Sequence, residues 1–266
     1  MGATDSAFSG SIPALYDRCL GPLLFEPYAR DLAERVAAIA PRRIVETAAG
    51  TGIVTAALVR AVPDAEIVAT DLNQAMLDVA SERVLSPAVS FRQADAQELP
   101  FADGGFDLVV CQFGAMFFPD RIGAYREARR VLKRGGLFLF NVWDGLEANP
   151  ASDAAAKAVA ALFPDDPPSF LSRVPFGYHD PLRIEKDLFA AGFDEVAVET
   201  VAAHSRLADA LDAATGLCMG TPLRAEIEAR APERLEEARD AAAAALADLA
   251  GADVPMSALV VSARSL

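Results

Sequence analysis

Residues 42–52 read RRIVETAAGTG, and this stretch decides the fold. Ile44 and Val45 are β-branched residues suited to a short strand. Gly50 and Gly52 then allow a tight turn with the backbone close to a ligand. Residues 52–61 carry the pattern of a helix, which Pro63 closes. Strand, glycine turn and helix together open a βαβ unit.

The same alternation runs outward in both directions. Upstream, YARDLAERVAAI (28–39) places apolar residues at helical spacing and Pro41 ends the helix. Downstream come a strand EIVATD (66–71), a helix over 73–85 and a third strand in VSFRQAD (89–95). FDLVVCQF (106–113) is a near-continuous apolar run, as a central parallel strand covered on both faces requires. A charged helix (120–133) leads through Gly135-Gly136 into the strand LFLFNVW (137–143). This rhythm predicts an α/β fold: a doubly wound, seven-stranded, mostly parallel Rossmann-like sheet with right-handed crossovers. After Trp143 the rhythm breaks into an irregular segment rich in Ala, Pro and Phe. A helix over 181–191 follows, with Gly192 as its C-cap, then the strand DEVAVETV (194–201), helices over 204–250 and a last strand SALVVSAR (257–264). The expected organisation is a cofactor-binding core (1–143), a substrate-side insertion (144–180), a core helix and strand (181–201), a helical cap (202–255) and a final core strand (256–266).

Composition narrows the function. The 266 residues are 53% hydrophobic, enough for a large core. Lys+Arg number 24 against 38 Asp+Glu, a net charge of −14, which opposes binding to nucleic acid or anionic membranes. Cys19, Cys111 and Cys218 form no CxxC pair, and His179 and His204 are the only histidines, so no metal site is expected. The N-terminus lacks the basic and apolar regions of a signal peptide and no apolar run reaches the length of a membrane span, so a cytoplasmic location is expected. Met1-Gly2-Ala3-Thr4-Asp5-Ser6 fits a myristoylation pattern, which short sequences match by chance. No feature of the sequence fixes an oligomeric state.

Three strand ends carry the chemistry. Asp71 lies 21 residues after Gly50 at the end of the second strand, where a carboxylate can accept both hydroxyls of a ribose. Asp95, at the end of the third, can accept from an adenine amino group. The plain alternatives are a helix N-cap for Asp71 and a turn cap before Gln97 for Asp95. A nucleoside site follows, and its cofactor class is narrowed by the glycines. A dinucleotide fingerprint needs a third glycine three residues after Gly52, and Thr55 stands there.

On these residues the chain resembles the class I S-adenosylmethionine-dependent methyltransferases, above all the ubiquinone and menaquinone C-methyltransferases, over about residues 12–143. Glu46, Gly50 and Gly52 match that family's acidic-x-G-x-G-x-G turn, with Ala48 replacing the first glycine. The resemblance implies that Asp71 holds the ribose, that Leu72 and Met76 flank the adenine, and that Asp95 and the Ala96 N–H meet its edge. KRGG (133–136) resembles the family's L-K-P-G-G turn, with Arg134 in place of proline. Tyr16-Asp17 resembles the tyrosine-aspartate pair that closes over the methionine end. The resemblance further implies that Gln112 and Phe113 border the cofactor, and Met116 and Phe117 the acceptor, where an aromatic face can hold a sulfonium methyl. Core packing is the plain alternative for Phe117 and Phe118. Cys-Gln-Phe-Gly at 111–114 is unlike the motif of DNA and RNA amino methyltransferases, which disfavours base methylation. Tyr178, facing the acceptor, or His179 could take a proton; Asp180 before Pro181 reads as an N-cap and His204 as structural. The expectation is methyl transfer from S-adenosylmethionine, leaving S-adenosylhomocysteine, to a small apolar or aromatic acceptor. A protein side chain stays open as acceptor. The alternatives are an NAD-dependent oxidoreductase and a non-catalytic cofactor-binding module.

Overall fold

The computed structural model describes Asp5, Phe8, Gly10 and residues 12–264. The myristoylation pattern lies outside the described residues, apart from Asp5. The helices are α1 (Ile12–Leu15), α2 (Glu26–Ile39), α3 (Ile53–Ala61), α4 (Gln74–Arg83), α5 (Arg121–Val131), α6 (Pro150–Ala161), α7 (Phe170–Arg173), α8 (Pro181–Ala190), α9 (Ala210–Met219), α10 (Leu223–Arg230) and α11 (Leu235–Leu246). The strands are β1 (Arg43–Glu46), β2 (Glu66–Asp71), β3 (Val89–Gln93), β4 (Phe106–Gln112), β5 (Leu132–Trp143), β6 (Glu195–Arg206) and β7 (Asp253–Arg264).

These strands form one sheet in the order β3-β2-β1-β4-β5-β7-β6. β1 pairs in parallel with β2 on one side and β4 on the other, so the order reverses at β1. That switch point opens a crevice at the carboxyl ends of the strands. β7 alone runs against its neighbours β5 and β6. The central strands bury Ile44, Val45 and Leu108 to Cys111 completely, which accounts for their continuous apolar runs. Local signals set the helix ends. Asp120 accepts from the Gly123 N–H at 2.9 Å and Asp180 from the Leu182 N–H at 3.0 Å. Gly192, at φ +95°, follows α8 as expected.

Several boundaries differ from expectation. β3 stops at Gln93, so Asp95 lies two residues beyond it, in a turn bridged to Glu98. Residues 133–136 are not a simple helix-to-strand turn. Leu132 is buried and pairs with Phe106 while Leu137 pairs with Leu108, so the four residues between bulge outward within β5. The 144–180 segment holds α6 and α7: Pro150 starts α6 and its alanines propagate it. β6 and β7 pair over their whole length, so 202–206 and 253–255 belong to strands and the helical insertion lies between them. Before α2, residues Tyr16–Phe25 wind as a π-helix around Pro22, which lacks an N–H to donate. α9 packs on this π-helix and on α11, which lies in turn on α6.

Candidate active site

The segments following β1, β2, β3 and β4 line one cleft of about 850 Å³, its open mouth included. Its floor is the 48–52 turn, with Ala48, Gly50 and Gly52 all in the left-handed region at φ +53°, +56° and +77°. A side chain on Gly50 would meet nothing within 4 Å, so bare backbone faces the cleft. A Cβ on Gly52 would lie 3.0 Å from the Ala80 Cβ, so this glycine is required where α3 and α4 pack. Ala48 adopts the conformation expected of the glycine it replaces. The room for its methyl comes from Gly114, where a Cβ would fall 2.4 Å from that of Ala48.

Asp71 is buried, and its two oxygens accept from the Gly50 N–H at 2.9 Å and the Asn73 N–H at 2.8 Å. It therefore locks the glycine turn and caps no helix. Oδ2 keeps a lone pair for a ligand hydroxyl, and Oδ1 takes a further, long contact of 3.5 Å from Asn73 Nδ2 that a ligand hydroxyl would displace. Burial raises its pKa, against the lowering effect of the two N–H groups. Asp95 accepts from the Gln97 N–H at 2.8 Å, which holds the turn that brings Asp95, Ala96 and Gln97 to the cleft. Leu72 is half-exposed at its edge and Met76 lies buried behind it.

A side recess joins the cleft between Tyr16, Glu46, Thr51 and Gln112. Burial pushes the Glu46 carboxyl up to about 8, although the Thr55 hydroxyl donates to it at 2.7 Å. Thr55 is the residue that stands where a dinucleotide site needs glycine, and its hydroxyl ties α3 to β1. Gln112 donates to the Phe25 carbonyl at 3.3 Å, while Gln112 Oε1 and Thr51 Oγ1 are buried without a partner among the described residues. Tyr16 stacks on Phe25 with centroids 4.7 Å apart, and burial, then Asp71 and Asp17, raise its phenol pKa. Asp17 pairs with Arg83, whose Nε donates to the Thr51 carbonyl at 2.9 Å, pinning the π-helix to the turn.

A second chamber of about 470 Å³, counting its opening, shares Phe8, Tyr16, Phe113 and Phe117 with the first cleft. Phe113 sits at φ +49°, and its N–H donates to Asn141 Oδ1 at 2.9 Å. Its ring stacks on Trp143 at 3.9 Å and 8°. Met116 and Trp143 line the same chamber.

Residues 45–140 match the family described as a methyltransferase domain. The matched residues contain every strand end of the first cleft and also Phe113, Met116 and Phe117. A demethylmenaquinone methyltransferase of Deinococcus radiodurans is 33% identical over 151 residues, 56% of this chain and 61% of that protein. The chain spans about half the length of such relatives. A solved phosphoethanolamine N-methyltransferase 2 from Haemonchus contortus, in complex with S-adenosyl-L-methionine, superposes with TM-score 0.59 at 17% identity, covering 96% of this chain and 57% of that one. The [4+2]-cyclase SpnF superposes with TM-score 0.62 at 19% identity, covering 96% of this chain and 93% of that one. The two structures share the fold.

Two candidates for proton transfer lie elsewhere. Tyr178 is completely buried, donates to Asp187 at 2.9 Å, accepts from Tyr125 at 3.3 Å, and has the Arg121 guanidinium 4.2 Å over its ring. His179 is exposed, with Nδ1 at 2.7 Å from the Phe176 carbonyl. Neither lines the cleft or the chamber, because α8 draws this segment under α5. Among the described residues no three His, Cys, Asp or Glu side chains cluster as a metal would require, and no helix is long and apolar enough to cross a membrane. Sequence reasoning missed Asn141, Gly114 and Thr51, polar or small residues whose partners are distant in the chain. Trp143, at the end of an apolar run, carried a signal only for core.

Proposed function

We propose that the chain binds S-adenosylmethionine in the first cleft and directs its methyl group to a small apolar or aromatic acceptor in the second chamber. The observation that carries this reading is the Asp71 carboxylate, clamped to the bare Gly50 turn with lone pairs still available in a cleft that Asp95 and Ala96 also line. The residues fit the cofactor at both ends. The ribose hydroxyls match Asp71 and the adenine edge matches Asp95 and the Ala96 N–H, between Leu72 and Met76. The side recess offers an unpaired acceptor, Gln112 Oε1, and the Glu46 carboxyl, a pair suited to an ammonium. When bound, the sulfonium supplies a methyl group already activated for in-line displacement.

The chain's own residues then position and exclude water. Tyr16, Phe113 and Phe117 stand where cleft and chamber meet and present ring faces to a cationic centre. A relative named for demethylmenaquinone methylation supports an aromatic acceptor of quinone type. Thr55 at the third glycine position argues against a nicotinamide dinucleotide. The acidic balance of the chain argues against nucleic acid as acceptor, and three buried free thiols fit a reducing cytoplasm.

Calorimetric titration with S-adenosylmethionine, S-adenosylhomocysteine and NAD tests the proposal. Both adenosyl ligands are expected to bind and NAD to be silent. Asp71→Asn, which keeps the shape of the side chain, should weaken both by about a hundredfold, from two charge-assisted hydrogen bonds of roughly 1.5 kcal/mol each. NAD binding with no response to the adenosyl ligands would overturn the reading. Adenosyl binding without methyl transfer to any acceptor would favour a non-catalytic module.

A further inference from the structure

We propose that Ser152 is the polar anchor of the second chamber and selects an uncharged, flat aromatic acceptor bearing a hydroxyl or carbonyl oxygen. This rests on the assignment of that chamber to the acceptor. Its wall is almost entirely hydrocarbon, and among its described lining residues there is no Asp, Glu, Lys, Arg or His. A charged acceptor would therefore lose its water with no counter-ion to replace it. Burial raises the pKa of the Tyr16 phenol, which stays neutral and offers no anion. Phe113 and Trp143, stacked on each other at 3.9 Å, both line the chamber, and aromatic side chains there favour an aromatic ring as neighbour.

Two aliphatic hydroxyls reach this wall. Thr221 is engaged, since it donates to the Leu217 carbonyl at 2.7 Å and accepts from the Leu223 N–H at 3.2 Å. Ser152 is 3% exposed and lines the chamber, and its side chain makes no hydrogen bond among the described residues. Ser152 is the third residue of α6, so no turn of that helix precedes it to accept a back-bond, and the residue is turned away from bulk solvent. α6 carries alanine at positions 151, 154, 155 and 156, so the fold does not demand a hydroxyl at 152. A hydroxyl in an apolar wall with no protein partner gains one when a ligand brings an oxygen to it.

Trp143 is the chain's only tryptophan and lines the chamber, so its fluorescence reports occupancy directly. The probes are para-ethylphenol and ethylbenzene, which differ by one hydroxyl, titrated with and without saturating S-adenosylhomocysteine. The 266-residue chain should bind para-ethylphenol about three- to tenfold more tightly than ethylbenzene, the range of one hydrogen bond. Ser152→Ala should abolish that preference, leave ethylbenzene affinity unchanged and leave S-adenosylhomocysteine binding intact. A preference that survives Ser152→Ala, or a Trp143 emission that neither probe moves, overturns the inference while leaving the cofactor reading standing. Probe binding that obeys Ser152 in a chain that binds no S-adenosylhomocysteine would sink the cofactor reading and keep Ser152 as the anchor of an aromatic site.

Discussion

Glu46→Gln should remove a pH dependence of stability that the wild-type chain carries. Glu46 is 1% exposed, and its one side-chain hydrogen bond is from Thr55 at 2.7 Å. Burial therefore holds its carboxyl at about 8, against 4.5 for the unperturbed group. Between those values the folded chain keeps a proton that the unfolded chain has lost. The stabilisation is fully present below about pH 4.5 and is lost as pH rises through about 8. Each pH unit with a one-proton difference is worth about 1.4 kcal/mol, and integrating the two titrations gives a loss of roughly 2 kcal/mol between about pH 6 and about pH 8. Glutamine fills the same volume, still accepts from Thr55 and does not titrate. Urea unfolding at a series of pH values should therefore show the wild-type midpoint falling relative to Glu46→Gln by that amount. Parallel profiles for the two proteins would refute the burial argument. A cationic ligand in the recess favours the ionised carboxylate, so S-adenosylmethionine should shrink the difference.

Two further outcomes follow from the packing. Gly114→Ala places a Cβ 2.4 Å from the Ala48 Cβ and 2.7 Å from Cys111 Sγ, and should cost about 1–3 kcal/mol in chemical denaturation. The loss should be smaller in an Ala48→Gly background, and additive losses in that double-mutant cycle would show that the two sites do not exchange space. Tyr178→Phe removes the hydroxyl that bonds Asp187 and Tyr125, and should lower stability by about 1 kcal/mol while S-adenosylhomocysteine affinity in calorimetry stays unchanged. A collapse of kcat at unchanged stability would instead return Tyr178 to the chemistry.

The amino-acid sequence determined the alternation of strands and helices, the glycine turn and the carboxylates at the strand ends. These signals are local: β-branched runs, periodic apolar positions, a capping Asp before Pro181, and a spacing of 21 residues that returns Asp71 to Gly50 through one crossover helix. Glu46, Asp71 and Gln112 each end a strand, and Gly50, Asp95 and Ala96 lie within four residues of one, where the parallel sheet sets direction and brings them to one cleft. The tertiary structure decided what depends on register between distant segments. The antiparallel course of β7 extends β6 past its predicted end. Gly114 stands against Ala48, 66 positions away, and supplies the space that the turn's missing glycine would have left. Asn141 holds Phe113 in a left-handed conformation across β4 and β5. α8 pulls Tyr178 beneath α5 and away from the cleft, and α6 carries Ser152 to the chamber wall. Periodicity shows which face of an element is apolar; which element that face meets is settled only when all the layers pack at once.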